Sequence, residues 1–471
     1  MPLWSKPATE IAAAVRAGEV SALDVMDSHL ARIAEVNPHL NAVTQLLADR
    51  ARADAQDIDR RRAAGEELGP LAGVPFTVKE STPIAGVPTT FGTPHFRDHV
   101  AAADAVPVGR LRAAGAIPIG HSNMPTMILA GMHPRSVLYG DTRNPWDPRR
   151  TPGGTSGGDG VAVAAGMAPL GLGNDSGGSV RIPASFCGIA ALNPTFGRFP
   201  ADQRLIGPDD PGPASQVLVT DGPLARTVAD LRLAYETLAG TDPRDPRAVP
   251  APLYGEPLTA PIKVAVVADP GGHGVHPTVR RAIADAADAL HDAGYDVREV
   301  PDVPRMDEAY DTYHRLCATE FAPNWPAVRQ LLGEGGDRFI ELTMRSAPPS
   351  ADAAGLIRLM STWMSVRRAW AEFLHEYPLL LGPVFTEPPV EPRLESRDQE
   401  GRDRVAFGRR LCSVSSFVGV PGVAIPTGLD ADGLPTGVQL VGRAFREDLC
   451  LAAAQAVEDR FGTLTPIDPR A

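Results

Sequence analysis

The sequence predicts an α/β protein with a largely buried sheet, and three observations carry that expectation. A short apolar run at residues 71–79 has the length of a buried strand; residues 104–116 read as a helix that turns back into the strand IPIGHSN; and two Gly-rich turns, at 141–158 and 174–179, each lead into a further element. Strand, turn and helix alternating in this way place helices against a sheet.

The elements follow in order. Residues 8–64 read as helices: Ile11 and Val15, then Leu23, Met26, Leu30 and Ile33, recur at helical spacing, and Ser21 stands where a cap belongs. Residues 160–167 are small and apolar, which suits a helix packed closely on its neighbour. Prolines crowd residues 240–261, the mark of a surface connection, and 263–267 then reads as a strand and 277–293 as a helix. Residues 305–377 have helical character and contain Trp325, Trp363 and Trp370. The charged stretch 391–404 is expected to be exposed, and late strands are expected at 423–426 and 437–441.

Composition narrows the function. The chain has 471 residues, 43% hydrophobic and 22% charged, enough for one large domain with a full core. A net charge of −12 lacks the basic footprint of a nucleic-acid binder. No run of about 18 apolar residues occurs, so no membrane span is expected, and the N-terminus lacks the pattern of a secretory signal. The cysteines at 187, 317, 412 and 450 are scattered without CxxC spacing, which reads as thiols of a cytoplasmic protein. His273 and His276 form an HxxH in a Gly-rich stretch, a weak metal pattern, and no metal or cofactor is expected.

Lysine is rare: Lys6, Lys79 and Lys263 stand beside 42 arginines. Arginine keeps its proton in a protein, whereas a buried lysine can lose it. Lys79 closes the apolar run GVPFTVK, where desolvation can lower an ammonium pKa toward ~7–8, the range of a lysine base. Two other segments complete a constellation. PGGTSGGDG holds Thr155 and Ser156 ahead of a helix, and GNDSGGSVRIP places Ser176, Gly177, Gly178 and Ser179 in succession. Such a stretch can aim several N–H groups at one oxygen, as acyl transfer through a tetrahedral oxyanion requires.

Taken singly, each feature has a structural explanation. Lys79 could be a strand-end lysine reaching solvent, Asp175 and Arg181 an ion pair, and each Gly/Ser segment merely a loop. Gly154 to Gly158 also satisfy GxSxG around Ser156, but a nucleophile elbow wants a strand just before the serine and a Pro-rich loop stands there. Neither Gly-rich segment ends in GK[ST], and no SxxK occurs.

The three segments together resemble the amidase-signature family. Residues 151–197 follow the family's signature almost end to end, GVPFTVKE matches its lysine strand, and GPLARTVADL and PGVAIPTGLDADGLPTGVQLVGR look like its later segments, so that the resemblance spans residues 8–460. It implies an α/β/α sandwich around a large, mixed central sheet. By the same token Ser179 is the nucleophile, Lys79 the base, and Thr155 the bridging hydroxyl, a position normally held by a serine in a cis peptide. The amides of Ser176, Gly177, Gly178 and Ser179 form the oxyanion hole, and Ser156, Asp175 and Arg181 shape the site.

The chain departs from the family pattern at Thr155, at Asn174 (usually threonine), at His121 (often lysine) and at Thr126 (often glutamate). Ser156 is an alternative relay. The expected activity is hydrolysis of a small-molecule carboxamide to an acid and ammonia or amine, by a protein for which a homodimer is one option. A glutamine-hydrolysing subunit of a tRNA-dependent amidotransferase is the alternative, ranked lower because residues 305–345 lack an Arg-Tyr-Asp-Gly motif. A non-catalytic binding protein ranks last. Met306, Phe321, Trp325, Met360, Trp363 and Met364 are candidates for the wall of an apolar pocket, with simple core packing as the equal alternative.

Overall fold

A computed structural model describes residues 2–202, 204, 209–333 and 335–470. Eleven strands form one sheet: β1 (Val43–Leu46), β2 (Pro75–Lys79), β3 (Ile117–Ser122), β4 (Leu170–Asp175), β5 (Ala190–Asn193), β6 (Thr220–Ala225), β7 (Lys263–Val266), β8 (Asp296–Glu299), β9 (Leu379–Pro383), β10 (Gly422–Leu429) and β11 (Pro435–Gly442). Their order is β1-β3-β2-β4-β6-β5-β10-β11-β9-β7-β8. β2 runs parallel to β3 and β4, while β4 and β6, and β10 and β11, are antiparallel, so the sheet is mixed.

Alternation along β9 shows how the layers are built. Leu379 and Leu381 face a core shared with Ile283, Leu449 and Val457, from helices Pro277–Asp292 and Glu447–Phe461. Leu380, between them, faces a second core with Leu316, Val366, Trp370 and Phe417, from helices Met306–Phe321, Ala353–Glu376 and Arg410–Val418. Successive side chains of a strand point to opposite faces. Helices therefore cover both faces of the sheet, the α/β/α arrangement that the resemblance implies.

Local chemistry sets several boundaries. Ser21 caps helix Ala22–Leu40, its hydroxyl accepting from the Asp24 amide at 2.9 Å. The expected run of helices over 8–64 is broken by β1, a four-residue strand that pairs antiparallel with β3. Its sequence, VTQL, is too short to show a period, and only its pairing reveals it.

The expectation for residues 391–404 also needs correction. Leu394, Glu395, Gly401 and Arg402 are buried. Glu395 Oε1 accepts from the backbone amides of Met132 at 2.5 Å and His133 at 3.0 Å, so a charge that reads as surface caps a loop from the other half of the chain. Gly131, at a φ of 106°, leaves room for this carboxylate.

Candidate active site

The site forms where β2 and β4, parallel neighbours, end together. Thr77 and Lys79 share one face of β2, two residues apart. Thr77 Oγ1 donates to Asp159 Oδ1 at 2.7 Å, which fixes helix Gly157–Ala164 against the strand. Lys79, fully buried, donates through Nζ to Thr155 Oγ1 at 2.5 Å and to Asn174 Oδ1 at 2.6 Å. Burial lowers the Lys79 pKa to about 7, although Asp159, Asp175 and Asp221 pull the other way. Burial likewise pushes Asp159 up to about 6 and Asp221 up to about 7, Lys79 opposing the rise at both.

Thr155 enters through a cis Gly154–Thr155 peptide. The backbone is packed tightly there: a Cβ at Gly154 would lie 2.1 Å from the Met132 carbonyl oxygen. Ser156 joins the two Gly/Ser loops, its amide donating to the Ser179 carbonyl at 3.1 Å and its hydroxyl to the Asn174 carbonyl at 3.3 Å. Lys79 reaches Thr155 and not Ser156, so the geometry offers the relay position to the threonine.

Asp175 and Arg181 organise the second loop. Arg181 Nε and Nη2 meet the two Asp175 oxygens at 3.1 and 3.0 Å, with both side chains fully buried. Arg181 also donates to Ser415 Oγ, Ser416 Oγ and Gln439 Oε1 at 2.7, 2.7 and 2.9 Å, which ties the loop to helix Arg410–Val418 and β11. Burial alone would raise the Asp175 pKa, but Arg181 and the loop amides hold it at about 2.

This carboxylate accepts from Gly177 N at 3.0 Å, Gly178 N at 2.6 Å and Val180 N at 3.1 Å. Two of the four amides expected to hold an oxyanion are thus turned to Asp175, and those of Ser176 and Ser179 have no acceptor among the described residues. Gly178 takes a φ of 112°, open to glycine, which lets the chain wrap round the carboxylate. Asp175→Asn is expected to destabilise the fold by about 3–5 kcal/mol, because it leaves Arg181 buried without its counter-charge; urea unfolding of both proteins measures this.

Thr155, Asn174, Ser176 and Ser179 open into one cavity of about 340 Å³, whose walls include Met127, Ile128, Leu129, Phe321, Phe339 and Ile340. Thr155 is 8% and Ser179 9% exposed, against none for Lys79, so the hydroxyls face the cavity and the amine lies behind them. Among the described residues the Ser179 hydroxyl makes no hydrogen bond, which leaves it open toward the cavity.

Of the six candidate wall residues, Phe321 alone lines this cavity. Trp325 lines a smaller neighbour, Met306 is core, Met360 and Trp363 pack beside the core, and Met364 is 49% exposed. The aromatic spacing belongs mostly to helix packing. Sequence reasoning gave Asn174 no role, although it is the second acceptor for Lys79. It comes within reach because Val78 pairs with Leu172, a register that no local pattern reports. His273 and His276 serve separate ends, one facing Asp307 and the other accepting from the Thr278 amide.

An amine, two hydroxyls and two amides without an acceptor among the described residues meet at these strand ends, the kinds of group that acyl transfer calls for. A family model described as Amidase matches residues 24–451. The chain is 40% identical to an indoleacetamide hydrolase of Bradyrhizobium diazoefficiens, over 98% of this chain and 88% of that protein. It is 33% identical to a glutamyl-tRNA(Gln) amidotransferase subunit from Roseiflexus, over 94% of each. A solved 6-aminohexanoate cyclic dimer hydrolase superposes with a TM-score of 0.85 at 28% identity, over 100% of this chain and 99% of that one. The chain belongs to the amidase family, and it is a hydrolase of amide C–N bonds.

Proposed function

We propose that the protein hydrolyses a small carboxamide in two acyl-transfer steps, with Ser179 as nucleophile, Thr155 as proton relay and Lys79 as base. The observation that carries this reading is the buried Lys79 amine held 2.5 Å from Thr155 Oγ1, at the floor of the cavity that Ser179 lines. In the first step Thr155 passes its proton to neutral Lys79 as it takes one from Ser179. The serine oxygen bonds to the amide carbon, and the carbonyl oxygen becomes an oxyanion facing the Ser176 and Ser179 amides. The relay then returns a proton to the nitrogen, which leaves as ammonia or amine. Water attacks the resulting ester by the same relay, releasing the acid and restoring Ser179.

The apolar walls suit an aryl or alkyl acyl group, and the relative named for indoleacetamide is consistent with an aryl-acetamide. Released ammonia from phenylacetamide, indoleacetamide, acetamide and a peptide amide, assayed side by side, tests this. Turnover of the aryl-acetamides at about tenfold higher kcat/KM than acetamide is expected from the apolar contact area; equal rates would remove the aryl assignment.

A second reading, a glutamine-hydrolysing subunit, draws on the 33% identical relative. Glutaminase activity that depends on added partner proteins would favour it. Unpaired thiols at all four cysteines fit a cytoplasmic setting, which cell fractionation checks.

A further inference from the structure

We infer that Arg409 recognises a carboxylate carried by the substrate at a distance from the amide that is cleaved. This rests on the reading of Ser179 as the nucleophile, because Arg409 lines the same cavity. Of the buried arginines, Arg32, Arg181, Arg198, Arg402 and Arg410 each hold a carboxylate within 3.0 Å, and Arg226 is satisfied by the Ala168 and Lys6 carbonyls. Arg409 is half-buried and has none among the described residues. Its one side-chain hydrogen bond to them runs from Nη1 to the Gly177 carbonyl, at a long 3.4 Å.

Its surroundings do not neutralise it. The groups closest to it electrostatically are Tyr313, Tyr310, Cys317 and Cys412. Burial keeps all four protonated at neutral pH, pushing Tyr310 and Cys317 up to about 12, Cys412 up to about 11, and Tyr313 up as well. His314 donates from Nδ1 to the Tyr310 carbonyl at 2.9 Å, and burial holds its pKa well below the usual value, so it brings no charge. Asp202 and Asp221 line the cavity too, but Asp202 is paired with Arg204 at 2.7 Å and Asp221 interacts with Lys79.

A guanidinium cannot shed its proton, and an unpaired charge away from water is costly. Arg409 lines the cavity, and a carboxylate is the acceptor that matches the fork of a guanidinium. Val405, Thr343 and Tyr313 line the same cavity, whose walls also include the apolar side chains of Phe339 and Ile340. The matching substrate is an amide whose acyl part ends in a carboxylate beyond an apolar spacer: a monoamide of a dicarboxylic acid, or an aryl-acetamide with a carboxylated ring.

Paired compounds test this with the full chain: 4-carboxyphenylacetamide against phenylacetamide, and adipamic acid against hexanamide. Turnover is read as ammonia, and binding as protection of Ser179 from a fluorophosphonate probe. The wild type is expected to favour the carboxylated member of each pair by roughly 10- to 100-fold in kcat/KM or in protection. Arg409→Leu should erase that preference through KM, bringing the carboxylated-to-neutral ratio of each pair to about one, and Arg409→Lys should keep part of it.

Equal handling of both members by the wild type, no protection by either, or an equal loss for both in Arg409→Leu, overturns the proposal. Failure of the probe to label wild-type Ser179 counts instead against the nucleophile assignment.

Discussion

Alanine at position 179 is expected to lower kcat by about 10⁴-fold or more while leaving the protein folded. The hydroxyl is the atom that bonds to the substrate in the proposed mechanism, so no neighbouring group compensates for its loss. Folding is expected to survive because Ser179 Oγ holds nothing together: it faces the cavity and makes no hydrogen bond to the described residues. The residue's structural contribution is its carbonyl, which accepts from the Ser156 amide at 3.1 Å and is retained in alanine. Ammonia release and fluorophosphonate labelling should fail together, with the thermal midpoint unchanged. A purified Ser179→Ala protein that still turns over amides at more than a few per cent of the wild-type rate would end the assignment.

Lys79→Met is expected to produce the second largest effect, a fall in kcat of about 10²- to 10⁴-fold, the contribution of a positioned base. Methionine fills a similar volume without the amine, and burying an amine is itself costly. The variant should therefore unfold at the same temperature as the wild type or higher, separating function from stability.

The pH dependence has a definite sign. Burial depresses the Lys79 pKa to about 7, so the neutral, proton-accepting form grows as pH rises through that value. Wild-type kcat/KM should climb through pH 7 and level off above it, and Lys79→Met should lack that limb. A wild-type profile that is flat from pH 5 to 9, or one that falls as pH rises through 7, contradicts the proposed base.

Much of the site was legible because motif residues sit close in sequence to the backbone features that use them. Asp175 meets the amides of Gly177, Gly178 and Val180 within five residues, so a Gly-rich segment announces a turn built round that carboxylate. What the motif hides is the direction of those amides. The expectation assigned four donors to an oxyanion, and Asp175 takes two of them.

The misreadings share one origin. Glu395 looks like a surface charge until a loop some 260 residues earlier supplies its donors. Met306, Phe321, Trp325, Met360, Trp363 and Met364 suited a pocket wall and core packing equally; of the six, Phe321 lines the cavity, whereas Met306 is buried in a core and Met364 faces solvent. A helix repeats its apolar residues in the same way whether that face meets a ligand or another helix.

By itself, the sequence determined the α/β class, the order of the chemical segments, and the presence of a rare lysine at the end of an apolar strand. Those are properties of local propensity, spacing and composition, which are written residue by residue. Tertiary structure alone decided that Asn174 shares the lysine with Thr155, that Ser156 is bound elsewhere, and that Arg409 has no carboxylate partner among the described residues. Each of these depends on strand register or on contacts between distant segments. Such contacts form because apolar faces must be buried together, and burial carries polar groups into positions that their own neighbours in sequence do not specify.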